Sequence, residues 1–230
     1  PNAVEIEDTY LRLDKDFADF FNYLDQKVGK GNYTVFLSAD NGGMNNAQFL
    51  LDRRIPAGDW NTKTAQKELN ERLKAKYPSA DKLVTWVSNY QVFFDTQKID
   101  SLGLDYAAIK QDAVNLLKKN KMVQYACDME KASIESIPEE IKYRIINGYN
   151  HERSGGVQVI LKPAHYSKGM KGTTHGAWNG YDTHIPLVFM GWGIQHGAST
   201  KPVYMTDIAP TVCALLHIQA PNGCIGEPIF

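Results

Sequence analysis

The chain has 230 residues, 43% apolar and 22% charged, with a formal net charge of −1. That length suits one large α/β domain with a substantial core, and near neutrality gives no footing for nucleic acid or an anionic membrane as partner. No apolar run approaches the roughly 18 residues of a membrane span, and three cysteines, Cys127, Cys213 and Cys224, make no disulfide framework.

The first residues are Pro1-Asn2 with no methionine, and a helix pattern begins at once, so a piece of a longer protein is expected. No secretory leader is visible in the residues given. Ile6, Tyr10, Leu13, Phe17, Phe20, Phe21, Leu24 and Val28 recur at three-to-four spacing among charges, which predicts an amphipathic helix over 5–28 ending at Gly29. Residues 31–37 form a short β-rich run expected to be fully buried. Helix, tight turn and strand in that order suggest half of a βαβ unit in a parallel sheet. A polar helix follows over 61–76, then a hairpin from Leu83 to Phe94, a helix over 105–119, and a short helix from Pro138 to Ile146 with proline in its first turn. A strand resumes over 156–162, and a last helix runs from Thr206 to Leu216. Cys213 and Cys224 lie 11 apart across a Pro-Asn-Gly turn, close enough for a bridge, although two buried thiols are the simpler expectation.

Two segments carry the chemistry. Tyr33 to Asp40 is an apolar run that stops at an acid followed by Asn41, Gly42 and Gly43. Gly172-Thr-Thr-His175-Gly176 is a glycine-flanked loop that leads into the apolar run Ile185 to Phe189. Ligands gather beyond the carboxyl ends of strands in open α/β sheets, and an Asp at one strand end with a His in a second loop is raw material for a metal site. Two such residues are too few to close one. As turn chemistry, Asp40-Asn41-Gly-Gly also reads as a cap. The glycines around His175 suggest a loop shaped for close approach.

Phe36-Leu37-Ser38-Ala39-Asp40, Arg153-Ser154-Gly155, Leu161-Lys162-Pro163, the Gly172 to Gly176 loop, Tyr181-Asp182-Thr183-His184-Ile185-Pro186 and Met205 to Val212 follow one another along the chain. In that order they resemble the alkaline phosphatase superfamily, in particular the monomeric phosphate-irrepressible type. The resemblance spans nearly the whole chain. It implies a three-layer α/β/α fold, present here in part. Because residues 52–152 interrupt the strand-end pattern that resumes at Gly156, they are expected as an inserted α+β subdomain, with 1–51 and 153–230 in the core. The resemblance further implies two zinc ions at the carboxyl edge of the sheet, hydrolysis of phosphate monoesters through a phospho-enzyme, and export to the periplasm or beyond.

Carried over residue by residue, Asp40 matches the ligand of the zinc that activates the nucleophile, and His175 that of the zinc that stabilises the leaving group. His184 stands behind them as a ring-hydrogen-bonded histidine rather than a ligand. Asn41 departs from the pattern, since the family has His there and a carboxamide oxygen is a weak zinc donor. The nucleophile and the remaining ligands have no counterpart in these residues. The resemblance therefore implies a chain that is inactive alone, holds zinc weakly, and pairs with the missing N-terminal half or with a second copy. A degenerate binding module of the same fold, or a related phosphodiesterase or sulfatase, is the alternative. Among the other polar residues, His151 and His165 are expected in polar turns, His196 and His217 in structural positions, Asp182 and Asp207 as caps or loop braces, and Ser154 in a turn.

Overall fold

A computed structural model describes residues 2–230. In chain order its elements are α1 (Val4–Lys27), β1 (Thr34–Ser38), α2 (Ala47–Leu51), β2 (Gly58–Asp59), α3 (Thr62–Lys76), β3 (Val84–Ser88), β4 (Gln91–Phe94), α4 (Thr96–Ser101), α5 (Tyr106–Leu117), β5 (Val123–Asp128), α6 (Glu139–Gly148), β6 (Val157–Leu161), β7 (His165–Tyr166), α7 (Gly180–Thr183), β8 (Leu187–Gly191) and α8 (Ile208–Leu215). Short polar side chains fix where the helices begin. Asn46, Asn61, Asp95 and Asp105 each accept a backbone N–H from the first turn of α2, α3, α4 and α5. The hairpin between β3 and β4 turns on Asn89 and Tyr90, with φ of 49° and 59°. Two consecutive positive φ angles give the turn whose twist matches that of the strands.

The chain divides into two compact units, residues 1–6 with 39–185 and residues 7–38 with 186–230. The larger unit is built on a four-stranded antiparallel sheet in the order β3-β4-β6-β5. β6 is buried along its whole length. Leu69 and Leu73 of α3 and Ile109, Ala113, Val114 and Leu117 of α5 join Val87, Val92, Val157 and Val159 in its main core. A second cluster gathers Cys127, Met129, Ile145 and Ile160. A third, of Met44, Ala47, Ala164 and Tyr166, lies where the short parallel pair β2–β7 meets α2. At the free edge of the sheet, Asn70 on α3 donates to Val84 O at 2.9 Å and accepts from Val84 N at 2.8 Å. Gln66 donates to Thr85 O at 2.7 Å. Two side-chain amides thus stand in for a missing neighbour strand and mask the edge.

The smaller unit contains most of α1, the antiparallel ribbon β1–β8 and α8. Just before α8, Asp207 closes the 3-10 turn Met205–Asp207 by accepting from Tyr204 N at 2.8 Å and ties in the C-terminal segment by accepting from Glu227 N at 3.1 Å. His217, with φ of 53°, ends the helix as Ile218 N reaches back to Cys213 O.

Three expectations need correction. β1 pairs antiparallel with β8, Ser38 opposite Leu187, not in a parallel pair. Helix, turn and strand fix what precedes β1 but not its lateral neighbour. The chain leaves β1 at Ser38 and returns beside it at Leu187, so β8 must run back along it. β1 is also not fully buried, since Phe36 and Leu37 are 47% and 44% exposed; a two-stranded ribbon cannot cover both faces. Finally, Cys213 and Cys224 are free and only partly buried.

Candidate functional site

Asp40 lies just past β1, in the larger unit, and its side chain is exposed. Its Oδ1 accepts from Asn41 N at 2.9 Å, so the carboxylate closes its own turn instead of capping α2. The Asn41 amide donates to Gly42 O at 2.7 Å. His175 sits exposed in the loop before α7, followed by Gly176 with φ of 95°.

Three cross-links hold these two segments together although some 130 residues separate them. Gly42 N donates to Asp182 O at 2.7 Å, Thr173 Oγ1 donates to Met44 O at 2.6 Å, and the Tyr166 hydroxyl accepts from Ala47 N and donates to Gly172 O at 2.6 Å. Gly42 is required by this closeness. A Cβ there would stand 2.1 Å from Tyr181 O, a clash with main chain that no rotamer relieves. The loop is braced further by Asp59 Oδ1, which accepts from Lys168 N and Gly169 N, and by the Tyr181 hydroxyl, which accepts from Ala164 N and Asn179 Nδ2. Tyr90, from the hairpin turn, lies against Gly176, where an added Cβ would be 3.8 Å from its ring.

Asp182 is 4% exposed. Its Oδ2 accepts from Ala177 N at 2.7 Å, while Oδ1 is buried with no partner. Burial pushes its pKa above the ordinary carboxylate range, against the Ala177 N–H and the positive field of His175, which pull it down. Burial likewise raises Tyr181 and Tyr90, each with a contribution from the Asp182 charge.

The other sequence candidates sit elsewhere. His184 is exposed and its backbone N–H ends α7 on Gly180 O. His165 Nδ1 donates to Pro163 O at 2.9 Å, and His151 lies 3.8 Å from Glu152. Ser154 Oγ accepts from Asn150 N in a turn, as the sequence suggested. Sequence reasoning named Asp182 as a brace but missed that half its carboxylate is unsatisfied; it placed Tyr181 in a motif without a role and missed Tyr166 and Asp59 entirely. Only the Tyr181-Asp182 pair beside an apolar run offered a signal.

The donor set tests whether a metal fits. Asp40 and His175 are of the right type for zinc, but no group of three His, Cys, Asp or Glu able to hold a metal occurs among the described residues. These residues do not make a zinc site by themselves.

The sequence profile of the type I phosphodiesterase / nucleotide pyrophosphatase family matches residues 1–182. The chain belongs to that family. Its fold is that of the alkaline phosphatase superfamily: the crystal structure of wild-type alkaline phosphatase PafA superposes with a TM-score of 0.94 at 50% identity, over 100% of this chain and 44% of that one. Among curated proteins, alkaline phosphatase PafA of Elizabethkingia meningoseptica is 50% identical over 232 residues, covering 100% of this chain and 42% of its own length. A protein of Myroides odoratus named calcium-transporting ATPase is 50% identical over 230 residues, covering 99% of this chain and 42% of itself. The chain therefore spans about two fifths of the length of these relatives. No helix among the described residues is long and apolar enough to cross a membrane.

Proposed function

We propose that this chain is the C-terminal part of a zinc-dependent alkaline phosphatase that hydrolyses phosphate monoesters through a phospho-enzyme in the periplasm or outside the cell. Asp40 and His175 are its contributions to the metal site; the nucleophile and the other ligands belong to the rest of the protein. The observation that carries this reading is the cross-linking of the Asp40 turn to the His175 loop through Gly42, Thr173 and Tyr166. A fold has little reason to fasten two exposed polar turns so closely unless their side chains serve one site. The ordered motifs and the 50% identity to PafA support the choice of chemistry. The exposed apolar residues of the β1–β8 ribbon, Phe36, Leu37, Val188 and Met190, support a partner that covers them.

The test compares the purified chain with the complete protein for zinc content, zinc titration and release of p-nitrophenol from its phosphate ester. The complete protein should bind zinc and turn over, while this chain should hold less than about a tenth of an equivalent and show no turnover. Robust activity of the chain alone would overturn the claim that the site is completed from elsewhere.

Asn41 supports a second reading, a non-catalytic module of the same fold, because its amide is spent inside the turn on Gly42 O. An Asn41→His change in the complete protein separates the two. Activity that is already high and changes little favours the enzyme; activity that emerges only with histidine favours the module. Turnover of the bis-(p-nitrophenyl) ester in preference to the monoester would instead assign a phosphodiesterase.

A further inference from the structure

Asp182 touches both halves of the site at matching distances along the chain. Two residues after Asp40, Gly42 N donates to the Asp182 carbonyl at 2.7 Å; two residues after His175, Ala177 N donates to Asp182 Oδ2 at 2.7 Å. Its other oxygen, Oδ1, is buried and unpartnered. Asp207, which also braces a loop end, has both carboxylate oxygens filled, by Tyr204 N and Glu227 N. An orphaned buried acceptor is costly and calls for an explanation.

We infer that Asp182 is the positioning residue of this site: it ties the Asp40 turn to the His175 loop and holds Oδ1 as the acceptor for a ring N–H of His175. Three side chains feel or exert charge at this carboxylate, namely His175, Tyr90 and Tyr181. Oδ1 takes a hydrogen bond from neither tyrosine: the Tyr181 hydroxyl accepts from Ala164 N and Asn179 Nδ2, and that of Tyr90 meets the backbone of Ser167. His175 is the one that is exposed, in a loop bounded by Gly172 and by Gly176 at φ 95°. Its ring is therefore the donor with freedom to turn towards Oδ1. A carboxylate on one ring nitrogen fixes which nitrogen carries the proton and leaves the lone pair of the other facing outward.

The activity readout rests on the phosphatase reading; the spectroscopic one does not. The variant is Asp182→Asn in the complete protein. Its amide oxygen still accepts from Ala177 N, but its amide nitrogen cannot accept a ring N–H. Nitrogen-15 spectra of the His175 ring should show one tautomer with a slowly exchanging N–H in the parent, and mixed tautomers without that N–H in the variant. Tm should stay or rise, since a buried charge is removed, while kcat/KM for p-nitrophenyl phosphate falls about 10–100-fold. Asp182→Ala, which also loses the Ala177 bond, should lower Tm as well. An unchanged His175 ring spectrum, or a fall in Tm alone for Asp182→Asn, reduces Asp182 to a loop brace and overturns the inference. A parent without phosphatase activity would sink the functional reading, and the ring spectrum would still decide this one.

Discussion

Lys110 is the most consequential buried charge in the larger unit. It is 2% exposed, yet its ammonium binds Asp128 Oδ1 at 2.9 Å, meets Glu130 Oε2, and sits 4.8 Å from the Tyr106 ring centre. Asp128 is equally buried and its Oδ1 also accepts from Glu130 N, opening the 3-10 turn over Met129–Ile134. Replacing Lys110 by Met keeps most of the stem and removes the cation. Breaking one side of a buried pair costs ~3–5 kcal/mol, because the remaining charge is stranded. The Glu130 carboxylate is half exposed and adds at most ~1 kcal/mol. With the stem conserved, a loss of about 3–4 kcal/mol follows. At an m-value of about 2 kcal/mol/M in urea, the midpoint drops by about 1.5–2 M, readable by tryptophan fluorescence. Adding Asp128→Asn removes the stranded charge and should restore at least half of the loss.

The pH dependence of this network has a definite sign. Burial pulls the Lys110 pKa down, but hydrogen bonds to Glu130 and Asp128 more than offset it, so the folded value lies above the ordinary 10.5. A raised lysine contributes stability that is complete below its unfolded pKa and lost only as pH climbs through the folded one. The Lys110 hydrogen bond holds the Glu130 pKa below its ordinary 4.5, so that contribution is lost only as pH falls through the lowered value. The network is therefore flat across neutral pH. A single Lys110→Met loss below about 1 kcal/mol, or a double variant no better than the single one, would refute the stranded-charge argument.

Two further outcomes are expected. Asn70→Ala strips Val84 N of its partner and leaves Val84 O only the long Gln66 amide bond at 3.4 Å, at a cost of about 1–3 kcal/mol; faster hydrogen exchange at Val84 with no loss elsewhere in the sheet checks it. Burial pushes the Cys127 thiol up to about 12, so in the native chain an aromatic disulfide reagent at pH 8 should titrate Cys213 and Cys224 but not Cys127. A third fast-reacting thiol would contradict that burial.

The parts of this molecule that were legible in sequence are those whose cause is local. The periodicity of α1 placed it within a residue of Val4–Lys27, and the Asn89-Tyr90 hairpin and the proline-started α6 fell where turn and cap chemistry put them. The strand-end acid and the glycine-flanked histidine were legible for the same reason, because each is a local interruption of an apolar run. Their connection was not. Gly42 with Asp182, Met44 with Thr173, and β1 with β8 are pairings across 129 residues or more, and a single sequence carries no periodicity that reports them. Lys110 shows the limit most clearly. On α5 it reads as one more solvated lysine, and only the return of β5 eighteen residues later places Asp128 beneath it. The same holds for Asp182. Its identity as an acid predicted a brace, but its half-empty carboxylate depends on a loop that folds over it from both directions. Residues whose role is set by what is missing around them can be found only once the surroundings are known, and those are the residues where the chemistry of this site is still to be tested.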